Sequence, residues 1–179
     1  MERANDALCE LTALLRGQNE EEFRQVLELL FFAYRDFTGE ADAVLAKFGF
    51  GRAHHRAIYF IGRNPSISVS DLLGILKITK QSLSRVLAQL IDENYVLQET
   101  DSTDRRRRLL QLSNKGVALE RQLTARQCQR VIGAFETAGT DSVSGFRTIL
   151  RAMIDPDDRH RVGLCHAGPK EPETQRLVG

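Results

Sequence analysis

Residues 69–116 read VSDLLGILKITKQSLSRVLAQLIDENYVLQETDSTDRRRRLLQLSNKG, and their spacing decides the fold. Val69, Leu72, Leu73 and Leu76 recur at i, i+3, i+4 and i+7, so they share one face of a short helix. Lys77-Ile78-Thr79 interrupts the pattern, and Leu83, Val86, Leu87, Leu90 and Ile91 restart it. Two short helices across a three-residue turn cross steeply, which is the helix-turn-helix arrangement. Beyond them, Val96 to Thr100 predicts a strand, Asp101-Ser102-Thr103-Asp104 a turn, and Arg105 to Leu112 a returning strand. Ser113 is placed to cap a further helix. The pattern is mainly α with a small β-hairpin wing: a winged helix-turn-helix core flanked by N- and C-terminal dimerisation helices.

The segments Ile78-Thr-Lys-Gln-Ser-Leu-Ser-Arg-Val-Leu87 and Asp101-Ser-Thr-Asp-Arg-Arg-Arg-Arg-Leu-Leu-Gln-Leu-Ser-Asn-Lys-Gly116 carry a specific likeness. Over residues 52–117 the chain resembles the MarR family of bacterial winged helix-turn-helix transcription regulators; the flanking helices agree in pattern only. Ser113 departs from the threonine more usual there, and either side chain can cap. The resemblance implies a homodimer whose first and last helices interlock. It implies that Asp104 braces the hairpin and Arg106 reaches a DNA groove. It also implies a small-molecule effector, often aromatic and anionic, in a region that here holds Tyr34, His54, His55 and Tyr59. Other members sense oxidants through cysteine, or metals.

The residues themselves fit double-stranded DNA. With Leu83, Leu87 and Leu90 on the core face, the opposite face presents Gln81, Arg85 and Ala88, flanked by Ser84 and Gln89. The major groove admits one helix, and there Gln suits adenine and Arg suits guanine. Thr79, Lys80 and Ser82 lie at the helix start, where free amides and the dipole suit a phosphate. In the wing, Arg105, Arg106, Arg107 and Arg108 alternate between faces if they open a strand. One or two can then enter the electronegative minor groove while the others meet Asp101 or Asp104; alternation leaves open which. From Lys77 to Lys115 eight basic residues face five acidic ones, a local surplus in a chain whose net charge is +1. That near-neutral total argues against a polycation that wraps nucleic acid everywhere.

Glu20-Glu21-Glu22 opens a long helix carrying Phe23, Val26, Leu27, Leu30, Phe31, Tyr34 and Phe37, widened by Leu29 and Phe32. So broad an apolar stripe calls for two partners, one of them plausibly another subunit. The expected organisation is dimerisation helices over 1–51, the winged helix over 52–116, dimerisation helices over 117–156 and a disordered tail over 157–179. At 179 residues and 42% apolar content, the chain has enough material for a core. Three scattered cysteines, Cys9, Cys128 and Cys165, form no disulfide framework; Cys9 and Cys128 read as inert core thiols. With no membrane-length apolar run and no signal-peptide pattern, a cytoplasmic protein is expected. No phosphate-cradling glycine loop, nucleophile with its base, or catalytic carboxylate pair emerges, so no enzyme and no cofactor are expected. The His54-His55 pair and the tail's His160, Cys165 and His166 match no metal template. A sequence-blind architectural DNA binder and a winged-helix protein-interaction module are the competing readings.

Overall fold

The computed structural model describes residues 20–162; the part of the expected dimerisation helices before residue 20, Cys9, Cys165 and His166 lie outside the described residues. The chain divides into two units between Glu40 and Ala41. Helix α1, Glu20–Ala46, begins in the first and ends in the second. Its three leading glutamates occupy the first turn, where the helix dipole favours them. Within the first unit, Phe23, Val26, Leu27, Leu29, Leu30, Phe31, Phe32 and Tyr34 are all exposed in the single chain. Gly39 is passed without a break, and the helix ends at Ala46, before Gly49 takes a left-handed backbone at φ 68°.

The second unit contains the winged helix. Helix α2, Arg52–Arg63, leads through Asn64 to strand β1, Ile67–Ser68. Helix α3, Val69–Leu76, follows at once because Ser68 caps it: the Ser68 hydroxyl oxygen accepts from the Asp71 amide at 3.1 Å and donates to the Asp71 carboxylate at 2.6 Å. Lys77 takes the left-handed conformation, φ 48°, that stops α3 and lets the chain turn. Helix α4, Lys80–Asp92, starts from the Thr79 cap. Strands β2, Val96–Thr100, and β3, Arg108–Leu112, then form the wing. The sheet order is β1-β3-β2, all antiparallel, with Val96 opposite Leu112 and Thr100 opposite Arg108. Helix α5, Asn114–Ala138, runs from the Ser113 cap, and helix α6, Thr140–Met153, closes the helical part.

One core serves this unit. Leu72 from α3, Leu83 and Leu90 from α4, Ile58 and Ile61 from α2, Leu110 from β3 and Leu123 from α5 are all essentially solvent-free, with Ala41 and Leu45 of α1 among them. Burying each such side chain contributes about 1.5–3 kcal/mol.

Four expectations are corrected. Strand β3 starts at Arg108, so Arg105, Arg106 and Arg107 belong to the turn and do not alternate as a strand. The break at Gly139-Thr140-Asp141-Ser142, whose residues predict an N-cap for α6, has no side-chain cap: Gly139, at φ 83°, occupies the cap position, and the Ser142 hydroxyl turns back to donate to the Ala138 carbonyl. Residues 156–161, mostly assigned to a disordered tail, form a 3-10 turn. Its Asp158 sits 2.6 Å from the Lys77 ammonium at the helix-turn-helix turn and 3.1 Å from the Arg161 guanidinium. Those two cations hold the Asp158 carboxyl below its ordinary value, with the Lys77 hydrogen bond the larger cause. Cys128 is exposed and is not a core thiol.

Gly116 is the tightest point. A Cβ there would lie 2.1 Å from the Tyr95 carbonyl oxygen, whereas one at Gly74 would meet only the end of Arg161 at 3.6 Å. Gly116→Ala is therefore expected to cost about 3 kcal/mol or more, because backbone must move. Gly74→Ala, inside α3, should gain about 0.5–1 kcal/mol through helix propensity. Urea midpoints of the two variants should move in opposite directions.

Candidate nucleic-acid interface

Helix α4 shows two unlike faces. Leu83, Val86, Leu87 and Leu90 are buried, and Lys80, Gln81, Ser82, Ser84, Arg85 and Ala88 are exposed. The Thr79 side chain accepts from the Ser82 amide at 3.1 Å and donates to the Ser82 hydroxyl at 2.8 Å. That cap satisfies one first-turn donor and leaves the Lys80 and Gln81 amides without a protein partner among the described residues. Ser82 therefore serves the cap first. Gln81 and Arg85, one turn apart, make no side-chain hydrogen bond or ion pair among the described residues and are exposed.

Gln89, expected at the flank of this face, is turned to other work. Its side chain is half-buried, 2.9 Å from His54 Nε2, and its amide donates to Glu93 at 2.9 Å. His54 accepts from the Gly51 amide through Nδ1 at 3.1 Å and stacks on Phe50 with ring centroids 4.8 Å apart. Both its ring nitrogens are thus occupied, joining the start of α2 to the flank of α4. His55, its neighbour, points into the core and is buried. That burial is the main reason its pKa falls below the ordinary 6.5; Asp42 and Glu120 oppose the shift and Arg56 adds to it. Tyr59 is half-buried with its ring edge-on to Phe60, and Tyr34 belongs to the first unit.

The wing tip is built by two aspartates. Asp101 accepts from the Thr103 amide at 2.8 Å, the Thr103 hydroxyl at 2.7 Å and the Asp104 amide at 3.4 Å. These bonds, led by the Thr103 hydroxyl, hold its carboxyl below the ordinary carboxylate value, with the Arg107 charge a smaller help. Asp104 accepts from the Arg106 amide at 3.0 Å through its side chain and from the Arg107 amide at 2.9 Å through its carbonyl. Asp104 thus meets the turn through backbone amides and not through the Arg106 guanidinium. Asp101 is the second brace that the sequence reading did not single out. The Asp-x-Thr spacing was its signal, since such a side chain folds back onto the amide two residues on.

The four arginines divide. Arg107 lies 3.7 Å from Asp71 and 3.9 Å from Asp101, and Arg108 reaches the Thr100 hydroxyl across the strand pair. The guanidinium groups of Arg105 and Arg106 make no hydrogen bond or ion pair among the described residues. At the wing's base, the Lys115 ammonium donates to the Glu93 carbonyl at 2.9 Å and lies 3.9 Å from the Tyr95 ring centre.

A capped helix with a polar outer face, entered by a left-handed turn and followed by a cationic hairpin, defines a winged helix-turn-helix protein. Residues 48–107 match the MarR family model. The chain is 47% identical over 137 residues to the HTH-type transcriptional regulator PetP of Rhodobacter capsulatus, covering 76% of this chain and 82% of that protein. Its fold also resembles that of Streptococcus pneumoniae FabT, solved in complex with DNA (TM-score 0.66, 17% identity, 73% of this chain and 94% of that one). A multiple antibiotic-resistance repressor from Listeria monocytogenes aligns with TM-score 0.52 and 25% identity over 76% of this chain and 94% of that one. The chain belongs to the MarR family and is a DNA-binding transcription regulator. No helix among the described residues is long and apolar enough to cross a membrane.

The buried imidazole gives a pH prediction with a definite sign. The folded pKa of His55 lies below the unfolded value of 6.5, so between the two the unfolded chain binds the extra proton. The contribution of the neutral ring is complete above 6.5 and lost as pH falls towards the folded value. The stability difference between wild type and His55→Gln should therefore shift against wild type on going from pH 7.5 to pH 5 in matched urea titrations.

Proposed function

We propose that this regulator reads a specific, pseudo-palindromic operator as a homodimer, with one winged helix on each half-site. The observation that carries the reading is the outer face of α4, where Gln81 and Arg85 project from a helix whose other face is fixed in the core. A single helix fits the major groove, where Arg pairs in a fork with guanine and Gln with adenine. The Lys80 amide and side chain and the Thr79 cap then meet the phosphates beside the groove. Arg105 and Arg106, without a hydrogen-bond or ion-pair partner among the described residues, insert into the flanking minor groove. Arg107 and Arg108 hold the wing in shape.

The dimer reading rests on apolar side chains left bare in a single chain. On α1, Leu27, Leu29 and Phe31 each expose more than 60% of their surface. On α6, Phe146, Ile149, Leu150 and Met153 are likewise exposed. Isolated chains seldom present so many large apolar groups along whole helices, and a second copy is the occupant that two-fold operators require. Two recognition helices related by a dyad place half-sites about one helical turn apart. A small aromatic or anionic effector that releases the DNA belongs to the same reading.

Selection from a random duplex pool at near-physiological salt should return an inverted repeat with that spacing. Retention of duplex without a common sequence would instead indicate an architectural binder, and no retention even at low salt a protein-contact module. On the selected site, Arg85→Ala should cost about 1–3 kcal/mol and relax preference at one base pair. Equal loss on all sequences would remove Arg85 from base reading. Arg106→Ala should weaken binding across sequences and lower the salt slope by about one; an unchanged slope would exclude it from the phosphate-flanked groove.

A further inference from the structure

One cationic surface plays no part in that reading. A groove of about 530 Å³ on α6 and the turn after it is lined by Ser144, Arg147, Thr148, Arg151, Ala152 and Arg159. Ser144, Arg147, Thr148 and Arg151 fall at i, i+3, i+4 and i+7, so they form one stripe of the helix. It faces away from the apolar stripe of Phe146, Ile149, Leu150 and Met153, and a neighbour covering the apolar side leaves the basic side open.

Among the described residues the three guanidinium groups have no carboxylate partner. Arg147 and Arg151 make no hydrogen bond or ion pair among the described residues. Arg159 is fixed across from them by two main-chain acceptors, donating from Nε to the Ile154 carbonyl and from Nη2 to the Ala152 carbonyl, each at 3.0 Å. Two of the three acids in the turn are committed elsewhere, Asp155 and Asp158 lying 3.5 Å and 2.6 Å from the Lys77 ammonium, and the third, Asp157, is exposed and does not line the groove. The turn therefore sends two carboxylates one way and Arg159 the other. Among the described residues no acid lines the groove, and its two hydroxyls donate to main-chain carbonyls, Ser144 to Asp141 at 3.4 Å and Thr148 to Ser144 at 2.9 Å.

We propose that this groove is a binding site for a small, multiply charged anion of the phosphate-ester or polyphosphate class. Guanidinium groups present planar forks of N–H donors that match phosphate oxygens in pairs, and three around one concavity suit an anion of more than one charge. The volume lies in the range of small-ligand sites. Arg159 is held in place by its carbonyl partners, so it loses little freedom on binding.

The probe is inorganic pyrophosphate, titrated calorimetrically into the full-length protein at low ionic strength. One saturable site per chain is expected in the wild type. Arg147→Gln/Arg151→Gln should weaken it at least tenfold while circular dichroism and affinity for the selected operator stay unchanged. Arg147→Lys/Arg151→Lys should fall between, because charge is kept and the fork is lost. Absence of saturable heat in the wild type would overturn the proposal. So would equal binding by the glutamine variant, which would move the site to other cations such as Arg105 and Arg106. If the glutamine variant instead lowers the salt slope of operator binding and wild type takes no pyrophosphate, the surface is a DNA-backbone contact and the small-anion site is refuted.

Discussion

A thirteen-residue helix can offer one face to a groove only if its other face is immobilised, and that constraint shapes the second unit. Leu83, Val86, Leu87 and Leu90 of α4 supply the fixed face, and the remaining elements supply the surface they pack into. Helix α3 stops after eight residues because Lys77 accepts a left-handed backbone there. Strand β3 places Leu110 under the same cluster, and α5 returns past Tyr95 so closely that only glycine fits at 116. None of these elements touches DNA in the proposed mode. Each limits how far the outer face of α4 can rotate, and a shift of about 1 Å is enough to spoil paired hydrogen bonds to a base edge.

The tip of the wing solves a different problem, since beyond Val96 and Leu110 the hairpin leaves the core and residues 102–107 are exposed. Its rigidity comes from polar closure. Asp101 and Asp104 gather the amides and hydroxyl of the turn, and Arg107 ties it to Asp71 at the start of α3. Isolated surface ion pairs contribute little, at most about 1 kcal/mol. A carboxylate that accepts two or three local bonds is far better defined, because its donors lie within three residues and cost little entropy to gather. Arg105 and Arg106 are thereby displayed from a shaped loop and do not trail from a loose one.

Most of this architecture was legible because it is periodic or local. The i, i+3, i+4, i+7 spacing delimited α3 and α4, and the Ser68, Thr79 and Ser113 caps lie where short polar side chains precede apolar runs. What escaped was decided by tertiary packing. Gln89 reads as part of a polar outer face, yet His54 arrives from 35 residues away to engage it. Arg105 to Arg107 read as the start of a strand because alternation cannot mark where the partner strand ends; Thr100 ends it opposite Arg108. The 3-10 turn at residues 156–161 lies in a polar, proline-started stretch that composition assigns to disorder. Its Asp158 meets Lys77, about eighty positions earlier, which no local rule connects to it.

The arginines show how a chain of net charge +1 carries two cationic surfaces. Where a carboxylate or hydroxyl lies within reach, as for Arg52 with Asp42, Arg107 with Asp71 and Arg108 with Thr100, the guanidinium is spent on structure. Where none does, as at Arg105, Arg106, Arg147 and Arg151, the charge is left for solvent or ligand. The Debye length is about 8 Å at physiological salt, so distant acids do not cancel these local fields. Net charge therefore says little about such a protein's partners; pairing, residue by residue, says more. The same logic makes Asp155 and Asp158 consequential, since their attachment to Lys77 withholds negative charge from the α6 groove that Arg159 helps to form.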